Sequence, residues 1–426
     1  MKKKAFSVLL VLLLSVVSTA CGGLKEAAKA REFREEEPEE TVVEKPVAEE
    51  VFPEETEPFH IGLVTSSRAQ SEDDRRGAEE FQRSFGAGRV TLATYPDNFS
   101  EAPEETIEII LKMAEDPEMK AIIVNQGVDG TAEAFRRVKE KRPDILCIAG
   151  QPHEAFSEIN AAADLVVLSD FVARGYLMIK TAHDLGCTTF VHISFPRHLT
   201  HDTISRRLAV MQAACEEFGM EFVMETAPDP TTEVGVAGAQ QYILEHVPEW
   251  VKKYGKDTAF FCTNDAHTEP LIKKLIECGG FFIEADLPSP LMGYPGALGL
   301  DLSDDAGDFG RILAHLESAL VEQGGAGRFG TWTSSYGYSM SAGLAQHAVN
   351  VLNKESSLTD IDDLTKAFSV FSPGAEWNGS HYTDPASGSK TDNMILIYQD
   401  TYIFGNPGRY MGTTKVEIPE KYFTVD

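Results

Sequence analysis

The stretch VHISFPRHLTHD, residues 191–202, sets His192, His198 and His201 beside Arg197 and Asp202, the densest group of histidines in the sequence. Imidazoles and a carboxylate at this spacing have two uses. With His198 and His201 on one metal ion and Asp202 beside them, the loop would serve a metal-assisted hydrolase in which the ion activates water. Without a metal, the same loop would form the rim of a binding cleft, with Arg197 meeting a hydroxyl or an anionic group. A zinc site takes three or four converging ligands, the helical H-E-x-x-H pattern is absent and no third ligand is evident, so the rim is the expected use. Alternation places His192 inside a strand and toward the core. Two further motifs fail on context. Gly325, Gly327 and Gly330 spell G-x-G-x-x-G but follow a predicted helix rather than a strand. GYSMSAG, around Ser339, lacks the last glycine of a nucleophile elbow.

The elements that must position this loop follow a regular rhythm from Phe59 onward. FHIGLVTS leads into SEDDRRGAEEFQRSFG, RVTLATYP into APEETIEIILKMAEDPEMK, and AIIVNQGVDG into TAEAFRRVKEKRP; ILCIAGQP and DLVVLSD follow. Continuous Val/Ile/Leu strands separated by amphipathic helices predict parallel sheets covered on both faces. After the helix FVARGYLMIKTAHDLG the rhythm repeats through TTFVHIS, EFVMETAPDP and DTAFFCTNDA. Within DTISRRLAVMQAACEEFG, residues Ile204, Leu208, Met211, Cys215 and Phe218 recur at helical spacing, and Gly219 is placed to end the helix. Beyond residue 300 the pattern blurs. Helices are predicted near 305–322 and 339–352, and strands near FGTWTSS and MILIYQDTYIFG.

The amino-terminal MKKKAFSVLLVLLLSVVSTACGG has a basic start, an apolar run too short to span a bilayer, and a small-residue exit, and so reads as a secretory signal peptide over residues 1–20. Ser-Thr-Ala-Cys resembles a bacterial lipobox, which makes Cys21 the expected lipid anchor. Residues 21–58 are rich in Glu and Pro and predict a disordered acidic tether reaching roughly 30 Å. The net charge of −29 argues against a nucleic-acid partner, which needs basic patches. Of six cysteines, Cys147, Cys187, Cys215, Cys262 and Cys278 lie in the body without paired spacing and read as buried thiols rather than a disulfide framework.

Three stretches carry a resemblance. VVLSDFVARGYLMIKTAHDLG resembles the strand, Asp and Gly-bearing helix that begin the crossover between the lobes of type I periplasmic binding proteins. HDTISRRLAVMQAACEEFG is similar to their Arg-bearing helix, with Arg206 and Arg207 competing for the matching position. TAFFCTNDAHTEPLIKKLIECGG resembles their strand, Asn-Asp and helix. The resemblance covers roughly residues 59–301. It implies an α/β fold of two doubly wound parallel-sheet lobes joined by a hinge, with about three crossings. The first lobe would take residues 59–172 plus part of about 300–335; the second would take 173–299 plus part of about 336–426.

Strand ends name the residues expected at the cleft. In the first lobe these are Ser66, Ser67, Arg68, Asn125, Gln126, Gln151 and Asp170, the last with a possible place at the hinge. In the second they are Phe195, Arg197, His198, Asp229, Asn264, Asp265 and Tyr294, with His267 nearby. Ser, Asn and Asp also serve as turn and cap residues, and the aromatics as core. The resemblance implies binding rather than chemistry: a monomeric solute receptor without cofactor or metal, delivering a small polar ligand to an ABC-importer permease. A sugar is the first expectation and a nucleoside or other heterocycle the second. A ligand-sensing receptor would use the same fold.

Overall fold

Short apolar runs, each followed by an amphipathic helix, build the body of the protein. The structure, a computed structural model, describes residues 58–68 and 70–425. The expected signal peptide, Cys21 and the tether up to residue 57 lie outside the described residues. The first part alternates β1 (His60–Thr65), α1 (Glu72–Phe85), β2 (Val90–Thr94), α2 (Pro103–Met113), β3 (Met119–Asn125), α3 (Thr131–Lys141), β4 (Leu146–Gly150), α4 (Phe156–Ala162), β5 (Leu165–Ser169) and α5 (Phe171–Asp184). The second continues with β6 (Thr189–Ser194), α6 (Asp202–Phe218), β7 (Glu221–Thr226), α7 (Gly235–Tyr254), β8 (Thr258–Cys262), α8 (Asp265–Cys278), β9 (Phe281–Phe282), α9 (Tyr294–Leu298) and α10 (Phe309–Glu322). The remainder holds β10 (Gly330–Thr331), α11 (Tyr336–Leu352), α12 (Ile361–Val370), β11 (Trp377–Thr383), β12 (Lys390–Gln399), β13 (Tyr402–Ile403) and β14 (Arg409–Tyr410).

The first sheet runs β11-β12-β5-β4-β3-β1-β2 and is parallel except for β11; the second runs β7-β6-β8-β9 and is parallel throughout. Every residue of β5, β6 and β8 is buried, as strands covered by helices on both faces require. The fold is therefore the α/β class expected, in two lobes. One core fills the first lobe and continues along α5 and α6 to one face of the second sheet, at Phe190 and Phe261. Another lies on the opposite face, at Val191, Ile193, Phe260 and Leu271.

Most of the late elements sit in the lobe opposite to the one expected, while β13, with Phe404, joins the second. Helix α10 belongs to the second, where Ile312, Leu316 and Leu320 join the core. In contrast α11, α12, β11 and most of β12 complete the first: Met394 of β12 pairs with Val166 of β5. The reason is periodicity without locality, since a strand pattern says nothing about a partner hundreds of residues away.

The chain crosses between lobes after β5, after β10 and after β12. The crossings are tied to one another by side chains. Gln399 Oε1 accepts from the Ser334 amide at 3.3 Å, and its Nε2 donates to the Ser334 carbonyl at 3.2 Å. At their centre Arg174 Nε donates to Glu284 Oε1 at 2.7 Å, Nη1 to Ser169 Oγ at 3.0 Å and Nη2 to the Ala285 carbonyl at 2.9 Å. Trp332 Nε1 donates to Glu284 Oε2 at 2.9 Å, and its ring lies under the guanidinium. Both charged side chains are only 2% exposed, so each is desolvated and each is matched.

Candidate functional site

The carboxyl ends of the parallel strands in both sheets face a crevice between the lobes, as open α/β sheets place their ligands. It has two compartments that meet at Gln126 and Leu287. The larger, about 640 Å³, lies between the loops after β3 and β4 and the loop from Arg197 to Ile204. The smaller, about 290 Å³, lies between the first turn of α1, the first turn of α11 and residues 287–292 of the second lobe.

The opening loop forms one wall of the larger compartment. Arg197 donates from Nε to Asp229 Oδ2 at 2.6 Å and from Nη2 to Oδ1 at 3.0 Å, which holds the Asp229 carboxyl below the usual carboxylate range. His198 Nδ1 lies 3.1 Å from Thr263 Oγ1, and its ring stacks on Phe195, centroids 4.2 Å apart. Burial lowers the His198 pKa, and it lowers that of His153 on the facing wall, so both favour the neutral ring. His192 is fully buried between Phe222 and Phe261; burial, then Arg207, bring its pKa down to about 3. It belongs to the core, as alternation predicts. Among the described residues, the group of three imidazole and carboxylate ligand atoms within 4.8 Å of one another is His60, Asp116 and Glu118, at the opposite, amino end of β1. His198, His201 and Asp202 line the wall without converging in that way.

Of the residues expected at the cleft, Asn125, Gln126, Gln151, Arg197, His198 and Asp265 line the crevice. Asn125 Nδ2 donates to Ser341 Oγ at 2.8 Å; Gln126 Oε1 is 2.6 Å from His153 Nε2, and its Nε2 donates to Asp74 Oδ2 at 3.3 Å. Gln151 Oε1 accepts from Tyr336 Oη and from the Ser169 amide. The other expected residues are placed elsewhere. Asp170 caps α5, accepting from the Ala173 amide at 2.7 Å and from Ser380 Oγ at 3.1 Å, a hinge position. Asn264 caps α8 through the Ala266 amide. Ser67 accepts in a turn from the Gln70 amide, and Arg68 turns outward to Glu79. Ser66 lies buried behind the smaller compartment, Phe195 supports His198, and Asp229 holds Arg197. Tyr294 is a core residue, 1% exposed, donating to the Gly330 carbonyl at 2.6 Å and packed on Phe282 and Phe404. His267 is likewise buried, against the Pro228 carbonyl.

Arg206 and Arg207, the two candidates for the position in the Arg-bearing helix, are both buried. Arg206 donates to the carbonyls of Phe423 and Val425 and holds the carboxyl-terminal segment. Arg207 faces the crevice, paired through Nη2 with Asp286 and resting over Phe261, and its Nε has no hydrogen-bond partner.

Sequence reasoning missed Asp73, Asp74 and Asp286. Asp74 is 2% exposed; burial and the Asp73 carboxylate push its carboxyl up to about 7. Asp73 accepts from Ser289 Oγ of the second lobe at 3.1 Å, and burial raises it too. Asp265 faces them from the other side. Its side chain is open to water in the crevice but walled by both lobes, and this lost solvation, with the Asp286 carboxylate, raises its carboxyl. The available signal was Ser71, whose hydroxyl accepts from the Asp74 amide as the cap of a helix that follows β1 and therefore begins at the cleft. Taken together, the crevice presents directional donors and acceptors from both lobes, suited to holding a small polar molecule.

The chain has relatives. A protein of Treponema pallidum (strain Nichols), described as uncharacterized, is 40% identical over 212 residues, 50% of this chain and 96% of its own length. A solved structure from Clostridium difficile 630, of a protein provisionally assigned as a transcriptional regulator, superposes with a TM-score of 0.74 at 23% identity over 82% of this chain and 99% of its own, a likeness of fold. An ABC transporter periplasmic solute-binding protein from Actinobacillus succinogenes 130z with bound D-allose gives a TM-score of 0.45 at 16% identity over 70% of this chain and 93% of its own. The model of the family described as protein of unknown function (DUF3798) matches residues 59–330, well over half of the sequence, and the chain belongs to that family.

Proposed function

We propose that the protein is an extracytoplasmic solute-binding lipoprotein. In this reading Cys21 carries the lipid, the acidic segment lifts the body off the membrane, and the two lobes close on a small polar ligand and present it to an ABC-importer permease. The observation that carries the reading is a crevice lined from both lobes, with the crossings gathered behind it. Closure about such crossings needs a few residues to change their dihedrals, and here the chain around Asp170, Ser334 and Asp400 is placed to do so.

The test is a thermal-shift screen over sugars, nucleosides, vitamins and amino acids, followed by calorimetry. A molecule that binds only the folded state raises the melting temperature and is recovered unchanged. Conversion of the bound molecule to a product, or saturation without any compaction of the protein in solution scattering, defeats the reading. For the anchor, Cys21→Ser is expected to move the protein from the membrane fraction to the soluble one.

A further inference from the structure

The two compartments differ in charge. The larger interleaves Arg197, Arg207 and three histidines with Asp129, Glu154, Asp202 and Asp286. The smaller is lined by Glu72, Asp73, Asp74 and Asp265 with no arginine, lysine or histidine among its lining residues. First-turn acids of α1 and α8 complement their helix dipoles, and α11 also begins here. Glu72 is paired with Arg76, and three helix amino termini supply only about half a positive charge each, which leaves Asp73, Asp74 and Asp265 without a full countercharge. A neutral polyol would satisfy hydrogen bonds but bring no charge to carboxylates that repel one another in a partly dry crevice. An ammonium or guanidinium brings both the charge and the donors. A second, independent observation lies next door. Arg207, 3% exposed, lines the adjoining compartment with its buried Nε left without a hydrogen-bond partner.

Resting on the solute-binding reading, we infer that the ligand is a small organic cation, an amine or guanidine seated among Asp73, Asp74 and Asp265, with an acceptor group at its other end directed to Arg207. The bridge between the two ends runs past Gln126 and Leu287, which line both compartments.

Calorimetry on the full-length protein with L-arginine, L-lysine, 1,4-diaminobutane, D-ribose, adenosine and calcium chloride decides it. At least one amine probe is expected to bind saturably. Asp265→Asn, a side chain open to the crevice, and Asp74→Asn, which keeps the shape, should each weaken that binding roughly tenfold or more, the worth of one charge-assisted hydrogen bond. Arg207→Met should weaken L-arginine more than 1,4-diaminobutane. Binding of ribose or adenosine alone overturns the cationic ligand and leaves the solute-binding reading standing. Calcium alone overturns it in favour of an inorganic ion. Amine binding indifferent to both aspartate variants places the cation elsewhere and overturns the site. Failure of all six probes overturns the inference, and if the protein also shows no closure in solution scattering the solute-binding reading fails with it.

Discussion

Two buried arginines, one in α5 and one in α6, meet carboxylates two residues apart, and they are finished differently. Arg174 at the pivot has Glu284, Ser169 and the Ala285 carbonyl, and Glu284 in turn has Trp332. Arg207 at the crevice has Asp286 and an aromatic face, with Nε left over. The difference separates charge that holds the lobes together from charge held in readiness. A saturated pair stabilises one arrangement, whereas an unsaturated pair and a cluster of unpaired acids raise the energy of the empty protein and lower it when a partner arrives.

The contrast is broken most severely at the pivot. Glu284→Ala leaves the Arg174 guanidinium buried without its carboxylate and is expected to cost about 3–5 kcal/mol, read as a fall in the denaturant midpoint. An equal cost from Asp286→Ala would erase the distinction, because the Arg207–Asp286 pair lines the open crevice. Next in size is a gain. Asp74 titrates near 3.8 in the unfolded chain and about 7 in the fold, so the folded state holds a proton that the unfolded state releases. This group therefore costs stability increasingly from about pH 4 to pH 7 and fully above. Its charged neighbours do not relieve it: Asp73 adds to the cost, and Glu72 and Asp265 line the same compartment. Asp74→Asn should therefore stabilise the empty protein by about 2–4 kcal/mol at pH 8 and by little at pH 4, seen as melting temperatures measured at both. Arg207→Met is expected to shift stability by less than about 1.5 kcal/mol while reducing ligand affinity, since a similar volume is kept and the buried charge is removed. The smallest effect belongs to Arg197→Ala: Arg197 is half exposed and Asp229 keeps the Thr231 amide and hydroxyl as donors, so the loss should stay below about 1 kcal/mol in chemical denaturation.

How much of this was legible depends on locality. The strand and helix rhythm up to residue 300 announces itself because each strand is an apolar run next to its own helix. The strand-end rule then reaches Asn125, Gln126, Gln151, Arg197, His198 and Asp265. Asp73 and Asp74 escape it because acids in a first helical turn look like dipole partners, and only the opposing lobe gives them another meaning. Tyr294 misleads because an aromatic with its hydroxyl on a buried carbonyl has the same letters as one that stacks on a ligand. The last 126 residues are hardest, for α11 is a run of Gly, Ser, Ala and Tyr buried on nearly all sides and shows no apolar stripe. Its contact with α1 is so close that a methyl group at Gly77 would overlap the Tyr338 carbonyl.

The pairing of Val166 with Met394 has a bearing on biogenesis. A polypeptide made amino end first reaches β5 long before β12 exists, so the apolar edge of that sheet stays uncovered while the rest of the chain is produced. Late closure of this kind slows folding, at the risk of aggregation if the nascent molecule lingers. A gene cut back to end at Gly330 would leave that edge bare, and its product should collect in the insoluble fraction.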